Sequence, residues 1–156
     1  MTELLPNIIT APLECGVLRD GELQLELVEF ISHPIHIVPS YHFRVLLRGG
    51  AAGTINLRLG WDENLVLYAG HIGYGVHEAF RGHHCAARSV VLLKPLARRH
   101  GFDEIWITCD PDNTASRRSC ELAGAEFVEI VDLPETSVYY SRGIRQKCRY
   151  RLPVAE

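Results

Sequence analysis

A chain of 156 residues, 47% hydrophobic and 22% charged, has the size and composition of one folded domain over 1–156 with a sizeable core. Its formal charge of -3 gives no case for nucleic acid, whose binding proteins are basic overall or in a dense patch. With no leader pattern and no apolar run near the ~20 residues that span a bilayer, the expectation is a cytoplasmic protein without a membrane partner.

In chain order, Met1 to Arg19 mixes polarity with two prolines and reads as an arm holding at most a short strand. Asp20-Gly21 marks a turn. Leu23, Leu25 and Leu27 alternate with Gln24 and Glu26, which predicts a strand running to Ile31. His33 to Ser40 (HPIHIVPS) is too short and too proline-rich for a pair of helices. Tyr41–Leu47 and Gly53–Leu59 predict a hairpin about Gly49 and Gly50. Trp61 to Asn64 is a second turn, and Leu65 to Val76 is expected to complete a meander.

His84 to His100 has helical spacing, with Gly101 as its stop. Pro95 removes one backbone hydrogen bond and predicts a bend near Val91. Glu104–Cys109 (EIWITC) is a strand, and Asn113 caps a helix that ends at Ala123 before Gly124. Phe127–Val131 is a strand, and Leu133–Gly143 a polar excursion carrying Tyr139 and Tyr140, which line a pocket or anchor the excursion. Finally Lys147, Arg149 and Arg151 alternate with Cys148, Tyr150 and Leu152. One face is core; the basic one reads as a solvated strand face, or as a hold for an acidic acceptor or for phosphates. The five cysteines, Cys15, Cys85, Cys109, Cys120 and Cys148, form no CxxC pair and read as reduced thiols.

The chain is organised around Tyr74 to Ala87, YGVHEAFRGHHCAA. Ile72, Tyr74 and Val76 give a strand with bulk on one face, while Gly73 and Gly75 either admit an approach to the backbone or mark tight packing. The strand then opens through Arg81, Gly82, His83, His84 and Cys85 into a helix. A helix start leaves its first amides unpaired and carries partial positive charge, which suits a phosphate and above all a pyrophosphate. The adjacent histidines read as loop residues, with no metal expected.

Arg81-Gly-His-His-Cys-Ala86 resembles the pyrophosphate loop of the GNAT superfamily of N-acetyltransferases: Arg or Gln, two residues, Gly, one residue, then Gly or Ala. Arg81 and Ala86 fit, and His84 stands where Gly is usual. EIWITC and DPDNTASRRSCELAGAEF resemble the superfamily's next strand and helix, with Asn113 and Gly124 in place. From about Pro39 to Phe127 the chain is similar to a bacterial branch of predicted acetyltransferases.

The resemblance implies an α/β (α+β) GNAT fold, the acyl-CoA N-acyltransferase fold: a mostly antiparallel mixed sheet splayed near Val76 and flanked by helices. The first helical pair is expected to be reduced or absent, leaving an acceptor site that is open or completed by a second subunit in a homodimer. The cosubstrate implied is acetyl-CoA, with backbone amides of Gly82, His83, His84, Cys85, Ala86 and Ala87, beside Arg81, on its pyrophosphate. Tyr74, Gly75 and Val76 would offer strand-edge groups to pantetheine, the Val76 N–H would be the oxyanion donor, and Asn113 would bind pantetheine. The tyrosine that usually protonates the departing thiolate stands seven places after the asparagine, where this chain has Cys120. Ser116, which borders the cofactor, is the other candidate, since a branch that acetylates ribosomal-protein N-termini carries serine there. That branch also keeps a carboxylate where Thr108 stands, so the base is open among His71, Glu78, Asp110 and water. The activity implied is acetyl transfer from CoA to a primary amine of a small molecule or protein. A non-catalytic acetyl-CoA-binding regulatory module is the alternative.

Overall fold

The computed structural model describes residues 12–33 and 37–155. Two antiparallel sheets share one core. The first runs in chain order through β1 (Leu18–Asp20), β2 (Leu23–His33), β3 (Ile37–Leu47), β4 (Gly50–Arg58) and β5 (Ile72–Val76). The second has β8 (Gln146–Pro153) between β6 (Glu104–Cys109) and β7 (Glu126–Asp132). Among the described residues three α-helices accompany them: α1 (Cys85–Arg99), α2 (Thr114–Leu122) and the short α3 (Val138–Ser141).

The predicted alternation holds at the start of β2, where Leu23 and Leu25 are buried. A bulge between Leu27 and Glu29 then breaks the register and leaves Leu27 and Val28 exposed. β2 pairs with β3 from Leu23↔Leu47 to His33↔Ile37. Only 34–36, outside the described residues, lie between them, so the helical pair has no room. The β3–β4 hairpin turns on Arg48 and Gly49, both left-handed with φ of 51° and 80°, one residue earlier than the two glycines suggest. Such a pair matches the twist of the strands it joins.

Leu65–Ala69 is a π-helical turn, which corrects the expectation of a strand from Leu65. The five residues LVLYA have no period of two. The Asp62 carboxylate accepts from the Leu65 N–H at 3.2 Å, and the Gly70 N–H closes the turn on the Leu65 carbonyl at 2.6 Å. Gly70 then takes a left-handed φ of 75°, and a Cβ there would stand 3.0 Å from the Trp106 carbonyl oxygen. The strand begins only at Ile72.

α1 lays Val90, Leu93, Leu96 and Ala97 into the core against the first sheet. Burying the three larger side chains is worth roughly 1.5–3 kcal/mol apiece, which offsets the ~3 kcal/mol of an interior proline. Pro95 accordingly sits inside one continuous helix. The carbonyl it leaves without a donor belongs to Val91, which is 45% exposed and open to water. At the helix end, His100 Nε2 and the Tyr41 hydroxyl bond at 2.6 Å.

Among the described residues the two sheets are hydrogen-bonded together around His71. His71, 1% exposed, gives its backbone N–H to the Trp106 carbonyl at 2.7 Å and accepts the Trp106 N–H on Nδ1 at 2.9 Å. Its Nε2–H donates to the Gly60 carbonyl at 2.9 Å. The Thr108 hydroxyl adds a bond to the Tyr68 carbonyl at 2.7 Å. Beyond this clip β5 and β6 belong to different sheets, and a wedge opens between them.

The basic side chains of β8 are all paired with acids. Lys147 pairs with Asp110, Arg149 with Glu129, and Arg151 with both Glu104 and Glu126. Arg149 is 6% exposed, with its guanidinium 3.9 Å above the Trp106 ring centre. Glu104, Glu126 and Glu129 come from the strands on either side, which makes those cross-strand pairs, and Asp110 follows directly on the end of β6.

Candidate functional site

Peptide groups alternate in direction along a strand. The His77 N–H bonds the Ala52 carbonyl and the His71 carbonyl accepts the Arg58 N–H, so the odd positions of β5 face β4. The N–H groups of Tyr74 and Val76 therefore point the other way, into the wedge. Gly75 leaves the strand open there, with nothing within 4 Å of where a Cβ would lie. Gly73 has the opposite explanation, since a Cβ on it would stand 2.8 Å from the Arg58 guanidinium. One glycine admits an approach, and the other is packing.

α1 begins at the bottom of the same wedge. Its N-cap, His84, takes a left-handed φ of 57° and makes no side-chain cap. The first intrahelical bond runs from the Arg88 N–H to the His84 carbonyl at 2.9 Å, so the amides of Cys85, Ala86 and Ala87 carry no partner in the helix. Gly82 is left-handed at φ 93°.

A groove of about 630 Å³ joins these parts. β5 contributes Tyr74, Gly75 and Val76, the loop contributes Arg81, Gly82, His84, Cys85 and Ala86, and α2 contributes Asn113 and Ser116. Two predicted contacts lie outside it: His83, whose carbonyl accepts from Arg88 Nη1 at 3.3 Å, and Ala87, which is 4% exposed. Arg118 and Ser119, on the groove side of α2, also border it and were not legible as site residues, because only the docking of α2 across the wedge aims them there. Neither Arg81 nor Arg118 pairs with a carboxylate among the described residues.

Asn113 accepts the Ser116 N–H on its side chain at 3.0 Å, as a helix cap does. The Ser116 hydroxyl meets the Tyr74 hydroxyl at 2.7 Å, and the Tyr74 hydroxyl also donates to the Ser116 carbonyl at 3.2 Å. Burial pushes the Tyr74 phenol well above its ordinary range, so it keeps its proton at neutral pH. This tyrosine comes from β5 rather than from α2, and it lies beside Cys120, the residue seven places after Asn113. Cys120, which holds that position, is 1% exposed and borders neither the groove nor the cleft beside it. Its hydrogen bond to Cys109 and its burial both push the Cys120 thiol up. The same bond, with help from Ser116, holds the Cys109 thiol below its usual range against the opposing effect of burial.

A second cleft of about 260 Å³ lies on the other side of the Tyr74–Ser116 contact and shares Tyr74, Asn113 and Ser116 with the groove. Of the three candidate bases, Asp110 borders this cleft and Glu78 borders neither space. Both ring nitrogens of His71 are engaged, and burial pushes its pKa down. Tyr139 faces the second cleft and Tyr140 does not. Among the described residues no three His, Cys, Asp or Glu side chains converge as a metal site.

No curated protein matches the chain. Among solved structures, RimL, a ribosomal L7/L12 alpha-N-protein acetyltransferase in complex with coenzyme A, superposes with a TM-score of 0.65 at 15% identity, over 90% of this chain and 99% of that one. A GNAT-family acetyltransferase from Bacillus anthracis gives 0.58 at 19% identity, over 74% of this chain and 67% of that one. The microcin C7 self-immunity acetyltransferase MccE, in complex with acetyl-CoA and AMP, gives 0.56 at 17% identity over 73% of this chain, which spans 61% of MccE. At these identities the likeness shows the fold. The family model of the acetyltransferase (GNAT) domain matches residues 24–126, from the start of β2 to the start of β7, and on a match over most of its length the chain belongs to the GNAT family of acetyltransferases.

Proposed function

We propose that the chain moves an acetyl group from acetyl-CoA to a primary amine of a small molecule or protein. The observation that carries this reading is the groove, where an anion site and thioester-facing groups lie on one path. The unpaired amides at the start of α1, flanked by Arg81 and Arg118, suit a pyrophosphate. Gly75 lets pantetheine lie along β5, and the N–H of Val76 faces the carbonyl oxygen that gains charge. Asn113 can cap α2 with its oxygen and still present its amide N–H to the cosubstrate.

In the transfer, the amine nitrogen bonds to the acetyl carbon, the carbon–sulfur bond breaks, and the thiolate takes a proton. Ser116, whose hydroxyl bonds the Tyr74 hydroxyl and borders the groove, is the group we assign to supply that proton, in preference to the buried Cys120. With a thiol pKa of ~8.5, leaving the thiolate unprotonated near pH 7 costs only about 2 kcal/mol, so this help is modest. Deprotonating the amine costs more: about 4.6 kcal/mol for a lysine and about 1.4 kcal/mol for an α-amine. Asp110, at the second cleft, is the carboxylate nearest that task.

Calorimetric titration with acetyl-CoA, CoA and ATP, on wild type and on an Arg81→Glu, Arg118→Glu double variant, tests the reading. Both CoA species are expected to bind at least tenfold more tightly than ATP, and the variant to lose at least tenfold. Well-folded protein that binds no CoA species refutes the proposal. Binding without CoA release in the presence of any amine favours the regulatory module instead.

A further inference from the structure

The second cleft is polar and carries three charged side chains: Arg58, Asp110 and Lys147. Lys147 is neutralised by Asp110 at 3.0 Å, with its ammonium 4.9 Å from the Tyr139 ring centre. Arg58 is different. Its Nη1 donates to the Ala69 carbonyl at 3.2 Å and to the Gly70 carbonyl at 3.0 Å, and the guanidinium lies over Gly73, where even a methyl group would intrude. Arg44, Arg48, Arg88, Arg149 and Arg151 each have a carboxylate partner. Arg58 has none among the described residues. A half-buried guanidinium, held in place by carbonyls and lacking a counter-charge, is a bidentate site for an oxyanion.

We infer that the acceptor is a small primary amine that carries an anionic group, a carboxylate or a phosphate, held on Arg58 with the amine turned toward Asp110 and the Tyr74–Ser116 contact. This rests on the acetyltransferase reading and adds the substrate class to it. The cleft, with two cations to one carboxylate, attracts an anion and repels a polycation. At about 260 Å³ it suits a molecule of amino-acid size. Lysine side chains in basic peptides and polyamines are disfavoured by the same charges.

The test measures initial rates of CoA release with β-alanine, O-phosphoethanolamine, their counterparts without the anionic group, β-alaninamide and ethanolamine, spermidine, and a peptide with a free N-terminus. Wild type is expected to prefer the amine that carries an anionic group over the counterpart that lacks it by at least tenfold in kcat/KM, and the first two compounds distinguish carboxylate from phosphate. In Arg58→Gln that preference collapses toward unity while acetyl-CoA affinity is kept; Arg58→Lys retains part of it. If Arg58→Gln does not fold, the wild-type preference and the Arg58→Lys variant decide the matter. Equal rates with the amines that lack an anionic group, acetylation confined to the peptide or spermidine, or no turnover of the amines that carry one by protein that binds acetyl-CoA overturns the inference and leaves the cosubstrate site standing. Failure to bind acetyl-CoA overturns both.

Discussion

Gly53→Ala is the substitution whose effect the structure specifies most closely. Gly53 lies in β4 opposite Val76 of β5. A Cβ on it would stand 2.0 Å from the Gly75 carbonyl oxygen and 3.0 Å from the Val76 Cα. The atom in the way is backbone, so no side chain can swing aside. Bringing that contact out to the 3.0 Å that Cβ atoms tolerate requires β5 to shift by about 1 Å at Gly75. Overpacking of this kind costs about 1–3 kcal/mol. The shift falls on the strand that presents the Val76 N–H, and a misplacement of ~1 Å near reacting atoms lowers rates by about 100-fold. Urea unfolding and steady-state CoA release are the assays. Gly75→Ala is the control, because its Cβ meets nothing. It should leave stability within about 0.5 kcal/mol while raising KM for acetyl-CoA. A Gly53→Ala protein within 0.5 kcal/mol of wild type and equally active would refute the packing argument and the role given to this strand.

Three further outcomes are expected. Ser116→Ala should lower kcat by no more than about 30-fold, the equivalent of the ~2 kcal/mol cost of an unprotonated thiolate, with KM little changed and Tyr74→Phe less affected; a loss beyond 1,000-fold would mean that Ser116 does something else. Asn113→Ala should cost about 1 kcal/mol in urea unfolding through loss of the cap, whereas Asn113→Ser keeps the cap, so weaker acetyl-CoA binding in the serine variant would isolate the contact to the cosubstrate. Burial lowers the pKa of His71, and that of His100 in the same direction, so the unfolded chain takes up protons near pH 6.5 that the native chain refuses. Stability should be full above about pH 6.5 and fall as pH drops toward the native values, by at most about 1.4 kcal/mol per pH unit for each histidine. A flat or rising profile from pH 6.5 to 5 would contradict this.

Features with a local cause were legible before any coordinates. Asn113 reads as a cap because its role needs only the three residues that follow, and the start of α1 beside His84 reads from its loop and apolar spacing, so the unpaired amides there follow as a property of any helix start. What stayed hidden depends on pairing between distant residues. Gly73 and Gly75 look alike in sequence, and only the proximity of Arg58 to one of them separates packing from access. Tyr74 was expected to offer its backbone; that its hydroxyl reaches Ser116 follows from how α2 crosses the wedge. His71 looked like a base because it lies near the right loop, yet each of its nitrogens already has a partner. The expected strand at Leu65 failed because a carboxylate at Asp62 and a left-handed Gly70 close a helical turn there.

The order of strands in the second sheet bears on how the protein comes to exist during synthesis. β6 and β7 do not pair with each other; each pairs only with β8, which follows them in the chain. The first sheet, built from successive hairpins, can close while the rest is still being made. Its partner cannot. Glu104 waits for Pro153 and Phe127 for Tyr150, and until β8 arrives the Tyr150 side chain, fully buried in the finished protein with its hydroxyl accepting from Arg117 of α2, is missing. The half of the site that carries Asn113 and Ser116 is therefore the last to form. A ribosome that stalls before Gln146 leaves a nascent chain with one side of the groove and no wall opposite it.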